Sequence, residues 1–346
     1  MINRLYLDSL VDPSACQGVE ALVGATLNGY SDPDIIYFVS GSEHHGLNVG
    51  VGRRVITHLL ERFPNAEAKV VHLGCIGVFA AMADFKSSCG TSAFVVCDES
   101  CEALSQRCLS VAGVGLGSPG GGLLAKAGMR TAMLSKSGEG RSGSIEVTDL
   151  RIYAQAPGIE GTRKLLNTMR AAYQSLEDAR IPVVSFAIDT PWCHALLKDL
   201  QPKAGDMQWL PSAEQDRNHL MSLKPMIEIE KYREYVERSS LAIVTLGLGG
   251  RVGIMRAGIT NMEPALSDEH VFWPISLPAP ELSSLEPDFV APYRLKSLFS
   301  LDRTYKARDG LYFTSAIRGK NSVDTDFVSS FAARPGLASQ GEDLWT

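Results

Sequence analysis

Cys75 lies within Val70-Val71-His72-Leu73-Gly74-Cys75-Ile76-Gly77-Val78-Phe79-Ala80-Ala81-Met82, where residue types and spacing point to nucleophilic chemistry. An apolar run of strand character ends at Gly74. The cysteine follows, and then an apolar run of helical character begins. A cysteine on such a turn sits at a helix N-terminus, where unpaired N–H groups and the helix dipole favour the thiolate. The thiolate is the form that attacks a carbonyl. The competing reading is a small buried hydrophobe, the commoner fate of a free cysteine. His72 reads as a core histidine, and His44 and His45 as members of the polar loop Gly41 to Gly46. Cys97-Asp98-Glu99-Ser100-Cys101 has CxxxC spacing, but no second Cys/His pair stands at zinc-finger distance, so no metal site is expected. The glycines of Val114-Gly115-Leu116-Gly117-Ser118-Pro119-Gly120-Gly121-Gly122-Leu123-Leu124 miss the phosphate-loop spacing and read as tight turns between strands.

The elements around the cysteine alternate. Met1 to Asp8 reads as a strand. Ser14 to Leu27 has helical spacing of Val19, Leu22, Val23 and Leu27, with Ser14 as its N-cap. Ile35 to Ser40 and Thr91 to Cys97 are short buried strands. Val49 to Phe63 is an amphipathic helix. The helix after Cys75 is apolar nearly all round and belongs in the interior. Lys136 to Ser144 is polar and glycine-containing, the best boundary in the chain. Beyond it a helix (Ile159 to Asp178), a buried strand (Val183 to Ile188), a short helix (Cys193 to Leu200) and a charged surface helix (Ile227 to Arg238) follow. Two strands, Leu241 to Leu246 and Val252 to Ala257, are joined by Gly247-Leu248-Gly249-Gly250, a turn that favours antiparallel pairing. The pattern is a wound α/β fold of two similar halves, residues 1–135 and 145–258. A proline-punctuated, loop-rich extension fills 259–346.

Composition narrows the functional classes. The net charge of −6 argues against nucleic acid as a main partner. No run reaches the ~18 apolar residues of a membrane span, and the N-terminus lacks a signal-peptide hydrophobic region. Seven scattered cysteines suit a reducing, cytoplasmic setting better than a disulfide framework.

Duplicated α/β halves with a cysteine on the strand-to-helix turn of the first resemble the thiolase superfamily, with its layered αβαβα fold. The closest likeness is to the type III ketoacyl synthase and hydroxymethylglutaryl-CoA synthase branch. Gly74-Cys75-Ile76-Gly77 resembles the family's nucleophile turn. Gly117-Ser118-Pro119-Gly120-Gly121-Gly122 stands where the family has Gly-Asp-Gly-Ala-Gly. Leu246-Gly247-Leu248-Gly249-Gly250 resembles the closing strand pair that helps form an oxyanion hole. Asp189-Thr190-Pro191-Trp192-Cys193-His194 is similar to the His-Thr-Pro-Tyr-Cys-Lys motif of hydroxymethylglutaryl-CoA synthases. The likeness covers about residues 1–258.

The resemblance implies an acyltransferase or condensing enzyme. Cys75 would take an acyl group from a CoA or carrier-protein thioester and pass it to a second substrate, in secondary metabolism. No cofactor or metal is implied. Gly247 or Gly249 would share the oxyanion with the Cys75 N–H, and Trp192 and Asn218 would line the substrate site. Asp189 stands where the family has its first histidine. The acid–base group is therefore Asp189 or, in another register, His194, and Asn218 and His219 are the candidates for the second family position. A thiol hydrolase of unrelated α/β type would want Gly-x-Cys-x-Gly, which the chain lacks. Members of the superfamily form dimers, so a homodimer or a heterodimer with a related chain is expected. An alternative is a degenerate, non-catalytic partner subunit of a ketosynthase-like complex.

Overall fold

The computed structural model describes residues 4–30, 32–41, 51–71, 74–102, 105–106, 109, 116, 122–136, 144–154, 158–184, 208–214, 217–247 and 251–258, together with three strands at 296–299, 301–306 and 312–316. In chain order the elements are β1 (Tyr6–Val11), α1 (Val19–Leu27), β2 (Ile35–Val39), α2 (Val51–Arg62), β3 (Glu67–Val71), α3 (Gly77–Ser87), β4 (Ser92–Asp98), β5 (Leu124–Ala125), β6 (Met129–Ser135) and β7 (Ile145–Ala154). They continue with α4 (Gly158–Asp178), β8 (Val183–Val184), β9 (Trp209–Leu210), β10 (Asn218–His219), α5 (Lys224–Lys231), α6 (Arg233–Val236), β11 (Ser240–Gly247) and β12 (Arg251–Gly258). The last three strands are β13 (Lys296–Phe299), β14 (Leu301–Lys306) and β15 (Tyr312–Ala316).

The fold is mixed α/β, and its two halves repeat one strand order. The first runs β3-β2-β4-β6-β1 and the second β9-β8-β11-β12-β7. Counted within each half, both read third, second, fourth, fifth, first. In both, the fifth strand is antiparallel to its two neighbours, while the second pairs in parallel with the third and fourth. The halves join through antiparallel pairing of Tyr6 with Glu146 and Leu7 with Ile145. On the far side β13 runs parallel to β3.

The strands alternate their side chains between helical layers, as a sheet buried on both faces must. Ile36 and Phe38 of β2 pack with Leu22 and Val23 of α1 and Val55 and Leu59 of α2. Tyr37 and Val39 turn the other way, to Phe79, Met82 and Phe85 of α3. Ile243 of β11 and Met255 of β12 reach the same layer, joined by Met226 and Ile229 of α5. Ala242 and Val244 face outward to Met169, Tyr173 and Leu176 of α4. The sequence explains the central position of α3: Val78, Phe79, Ala80, Ala81 and Met82 leave it no polar face along this stretch, and all five are buried.

Two expectations about elements change. The helix expected from Ser14 begins at Val19. Ser14 belongs to a separate short turn, Pro13–Ala15, and the Asp12 carboxylate accepts from its N–H. The charged helix expected over Ile227 to Arg238 is two helices, and the first starts earlier and buries Lys224 and Glu228. The strand expected from Val183 to Ile188 is described only at Val183–Val184. The short helix expected at 193–200, the boundary residues 137–143 and most of 259–346 lie outside the described residues.

Gly253 of β12 is where the second half closes on α3. A Cβ there would stand 2.9 Å from the Phe79 ring, and Phe79 is fully buried. Gly253→Ala should lower unfolding stability by about 1–3 kcal/mol, the usual cost of overpacking a filled core. Denaturant titration reads this directly, and an unchanged midpoint would show that α3 has slack the packing does not suggest.

Candidate active site

Cys75 lies on the turn that follows β3 in the chain. Gly74 has φ +55, a left-handed conformation that glycine adopts without steric cost. It opens a 3₁₀ turn, Gly74–Ile76, that runs into α3. Cys75 in that turn is completely buried. Its surroundings come largely from later in the chain: Leu123, Met221, Val244 and Val252 share its cluster.

His219 reaches it from the second half. Cys75 Sγ and His219 Nε2 are 2.9 Å apart. The histidine lies on β10, a two-residue strand parallel to β5. The Leu124 N–H donates to the Arg217 carbonyl, and the Lys126 N–H to that of His219, both at 3.0 Å. Gln106 braces β5 from its other edge. Its amide nitrogen donates to the Leu123 carbonyl at 2.9 Å, and its oxygen accepts from the Ala125 N–H at 2.8 Å. Two non-glycine residues in the left-handed region flank the bridge, Arg217 at φ +67 and Met221 at φ +51. Such residues cost on the order of 1–3 kcal/mol each and persist where surrounding packing overrides them. Met221 is buried in the cysteine's cluster, and Gly41 leaves room for its Cε.

The turn that follows His219 is tied to the first half by Glu99. This buried carboxylate accepts from the Gly41 N–H at 2.5 Å, the Ser105 hydroxyl at 2.7 Å and the Ser222 hydroxyl at 2.5 Å. Burial raises its pKa, against those three donors.

Behind the imidazole stands a second carboxylate. Glu214 Oε1 is 2.7 Å from His219 Nδ1. The contact pairs the imidazole with a carboxylate, both buried. Oε1 also accepts from the Leu220 N–H at 3.2 Å. Lys224 Nζ lies 3.2 Å from Glu214 Oε2, and it donates to Ser212 Oγ at 2.7 Å and Glu228 Oε1 at 2.9 Å. Glu214, Lys224 and Glu228 are all buried, as is His219.

The electrostatics follow from that geometry. Burial alone would push the His219 pKa down, but the charges of Cys75 and Glu214 outweigh it, and the imidazole is held protonated well above its usual range. Burial would push Glu214 up, but Lys224 and His219 together hold it down to about 2. The arrangement sets a cysteine sulfur, an imidazole and a carboxylate side by side, the groups that nucleophilic catalysis with proton transfer would need.

Of the residues singled out from the sequence, Cys75 and His219 are brought together. Asn218 is next to His219 on β10 and half-buried. Gly247 ends β11, opposite Arg251. Asp189, Trp192, His194 and Gly249 lie outside the described residues, as do His44, His45 and His72. The sequence reading missed Glu214, Lys224, Glu228 and Ser212. Among the described residues no cluster of His, Cys, Asp and Glu is arranged to hold a metal ion. Among them, too, no helix is long and apolar enough to cross a membrane.

No family model matches the chain, and no curated protein matches it. Among solved structures it is similar to ChlB3, described as an acyltransferase, at 13% identity and a TM-score of 0.48, over 74% of this chain and 96% of that one. It is also similar to a variant of Xanthomonas campestris OleA, at 14% identity and a TM-score of 0.47, over 72% of this chain and 82% of that one. A cerulenin complex of OleA gives 13% identity and a TM-score of 0.48, over 72% and 80%.

A carboxylate with a folded pKa below its unfolded value adds stability above the unfolded value and loses it as pH falls toward the folded one. The stability advantage of the wild type over Glu214→Gln should therefore be largest near neutrality and shrink from about pH 5 down to about pH 2. Denaturation across that range tests it, and a pH-independent difference would mean that Glu214 is not held ionised.

Proposed function

We propose that the protein is an acyltransferase of the thiolase type, working through an acyl-enzyme on Cys75. The observation that supports this best is the buried line of Cys75 Sγ, His219 and Glu214 at 2.9 and 2.7 Å. The repeated strand order of the two halves and the glycine-opened turn agree with the family likeness seen in the sequence.

The Cys75 thiolate attacks the carbonyl carbon of an acyl thioester on CoA or a carrier protein. The oxyanion takes hydrogen bonds from the Cys75 N–H and from a glycine of the Gly247 to Gly250 turn. Removing one such donor typically costs about 10²–10³ in rate. As the intermediate collapses, the His219 imidazolium gives its proton to the departing thiolate. The neutral imidazole then takes a proton from the acceptor as that acceptor attacks the Cys75 thioester. Cys75 leaves as a thiolate and His219 is again an imidazolium, so the cycle closes. Glu214 steadies the imidazolium throughout. A carboxylate-backed base suits an acceptor with an O–H or N–H to lose, giving an ester or an amide. The partner-subunit reading rests on Asp189 standing at the family histidine; in the acyl-transfer reading His219, beside Cys75, takes that part.

The test is intact-protein mass after exposure to a panel of acyl-CoAs and acyl carrier proteins. The wild type should gain one acyl group, and Cys75→Ala none. His219→Gln should slow transfer by about 10²–10⁴, the range for a positioned acid–base group. No adduct on the wild type with any donor would overturn the proposal.

A further inference from the structure

We propose that Lys224 is a positioning residue for this chemistry: its buried ammonium, set between Glu214, Glu228 and Ser212, holds the Glu214 carboxylate in place against His219. The inference rests on the acyl-transfer reading for its purpose, but its geometry stands apart from it. Lys224 is on the first turn of α5, fully buried. A lysine with no exposure must be surrounded by acceptors, because an ammonium moved out of water costs several kcal/mol even after relaxation. Its acceptors are Ser212 Oγ at 2.7 Å and Glu228 Oε1 at 2.9 Å, with Glu214 Oε2 at 3.2 Å.

The three partners form a frame that points one way. Ser212 Oγ donates to Glu228 Oε1 at 2.6 Å and accepts from the Glu214 N–H at 3.0 Å. Glu228 Oε1 also accepts from the Ala213 N–H at 2.9 Å. The segment 211–214 is thus pinned to α5 by the lysine and its i+4 glutamate. Lys231 and Tyr232 add to this from the next turn, by donating to the Pro211 carbonyl. Glu214 emerges from that segment with one oxygen on the lysine and the other on the imidazole.

Among the described residues, the charged groups that face the site are these. His219 is faced by Cys75 from the nucleophile turn and by Glu214. Glu214 is faced by His219 from β10 and by Lys224 from α5. Lys224 is faced by Glu214 and by Glu228, and Glu214 lies between Lys224 and the ring. The first effect of the lysine's charge therefore falls on the carboxylate. Without it, burial and the neighbouring anions favour a protonated Glu214. A neutral Glu214 leaves the imidazolium with one anion instead of two, which weakens its hold on its proton.

Alkylation of Cys75 by iodoacetamide across pH reads this without any acyl donor. The variants are Lys224→Met, Lys224→Arg, and Lys224→Met with Glu228→Gln, which removes one charge of each sign together. Lys224→Met should move the acid limb of alkylation upward by about one pH unit or more, a tenfold loss of rate on the limb for each unit. The acid limb of kcat should move with it, with KM unchanged, and Lys224→Arg should keep the wild-type limb. A residue needed only for packing would lower the plateau and the melting temperature and leave the limb where it was. An unmoved limb in folded Lys224→Met overturns the proposal, and the double variant decides if that protein does not fold. In the wild type itself, carbon-13 carboxyl shifts should show Glu214 ionised throughout mildly acidic pH, and titration in the ordinary carboxylate range would overturn the proposal without any Lys224 variant. A moved limb with no acyl adduct would sink acyl transfer but not Lys224's role. Acyl transfer with an unmoved limb would do the reverse.

Discussion

A sulfur and an imidazole nitrogen 2.9 Å apart, on residues 144 positions apart and both buried, are the interaction on which the rest of this structure depends. Two charged groups out of water repay their desolvation only with close geometry and further partners. The chain supplies those partners in series: Glu214 for the imidazolium, Lys224 for Glu214, Glu228 and Ser212 for Lys224. Each addition answers a charge that the previous one left exposed to the protein interior. The series ends where backbone N–H groups of the 211–214 segment can finish it.

The fold is what makes that contact possible. Cys75 follows the third strand of the first half, and His219 follows the third strand of the second. The two meet because α3 is shared. It takes side chains from the strands of both halves, and Gly253 lets β12 approach the Phe79 ring closely. A helix whose first turns, Val78 to Met82, are apolar all round cannot sit at a surface, so the composition of α3 and the closure of the halves have one physical cause. Glu99 adds a polar tie, joining the end of β2 through Gly41 to the turn after His219 through Ser222.

The parts of this arrangement that were legible in the sequence are those governed by hydrophobic period. Ile35 to Val39, Ser92 to Cys97 and the two strands of the β11–β12 pair announce themselves as short apolar runs, and the switch of period at Gly74 places Cys75. The charged network was hidden by the same rule. Lys224, Glu228 and Lys231 look like a solvated helix face, because charges three and four apart on a helix are usually that. Nothing local distinguishes a lysine that meets two glutamates in the core. Ser14 misled for a related reason: a good capping residue was present, but Asp12 captured its N–H first. His219 entered only as a weak match to a family position. Its partner Glu214, five residues before it, has no periodic relation to it and is found only by folding the loop.

The charge balance of the site bears on the proposed acyl transfer. With Cys75 as thiolate, the buried line holds three anions (the sulfur, Glu214 and Glu228) and two cations, His219 and Lys224. Acylation turns the sulfur into a neutral thioester. For as long as His219 keeps its proton, the remaining charges cancel. A low-dielectric interior favours that neutral arrangement over a net charge. In the proposed reaction that net charge would be relieved on acyl transfer to Cys75, at the step where the departing thiolate also needs the imidazolium's proton. Once that proton has left, the site again carries one net negative charge, and the imidazole beside Glu214 is a stronger base for the acceptor. In that reaction the buried lysine beside Glu214 would shape both half-reactions, because it bears on the charge against which His219 gains and loses its proton.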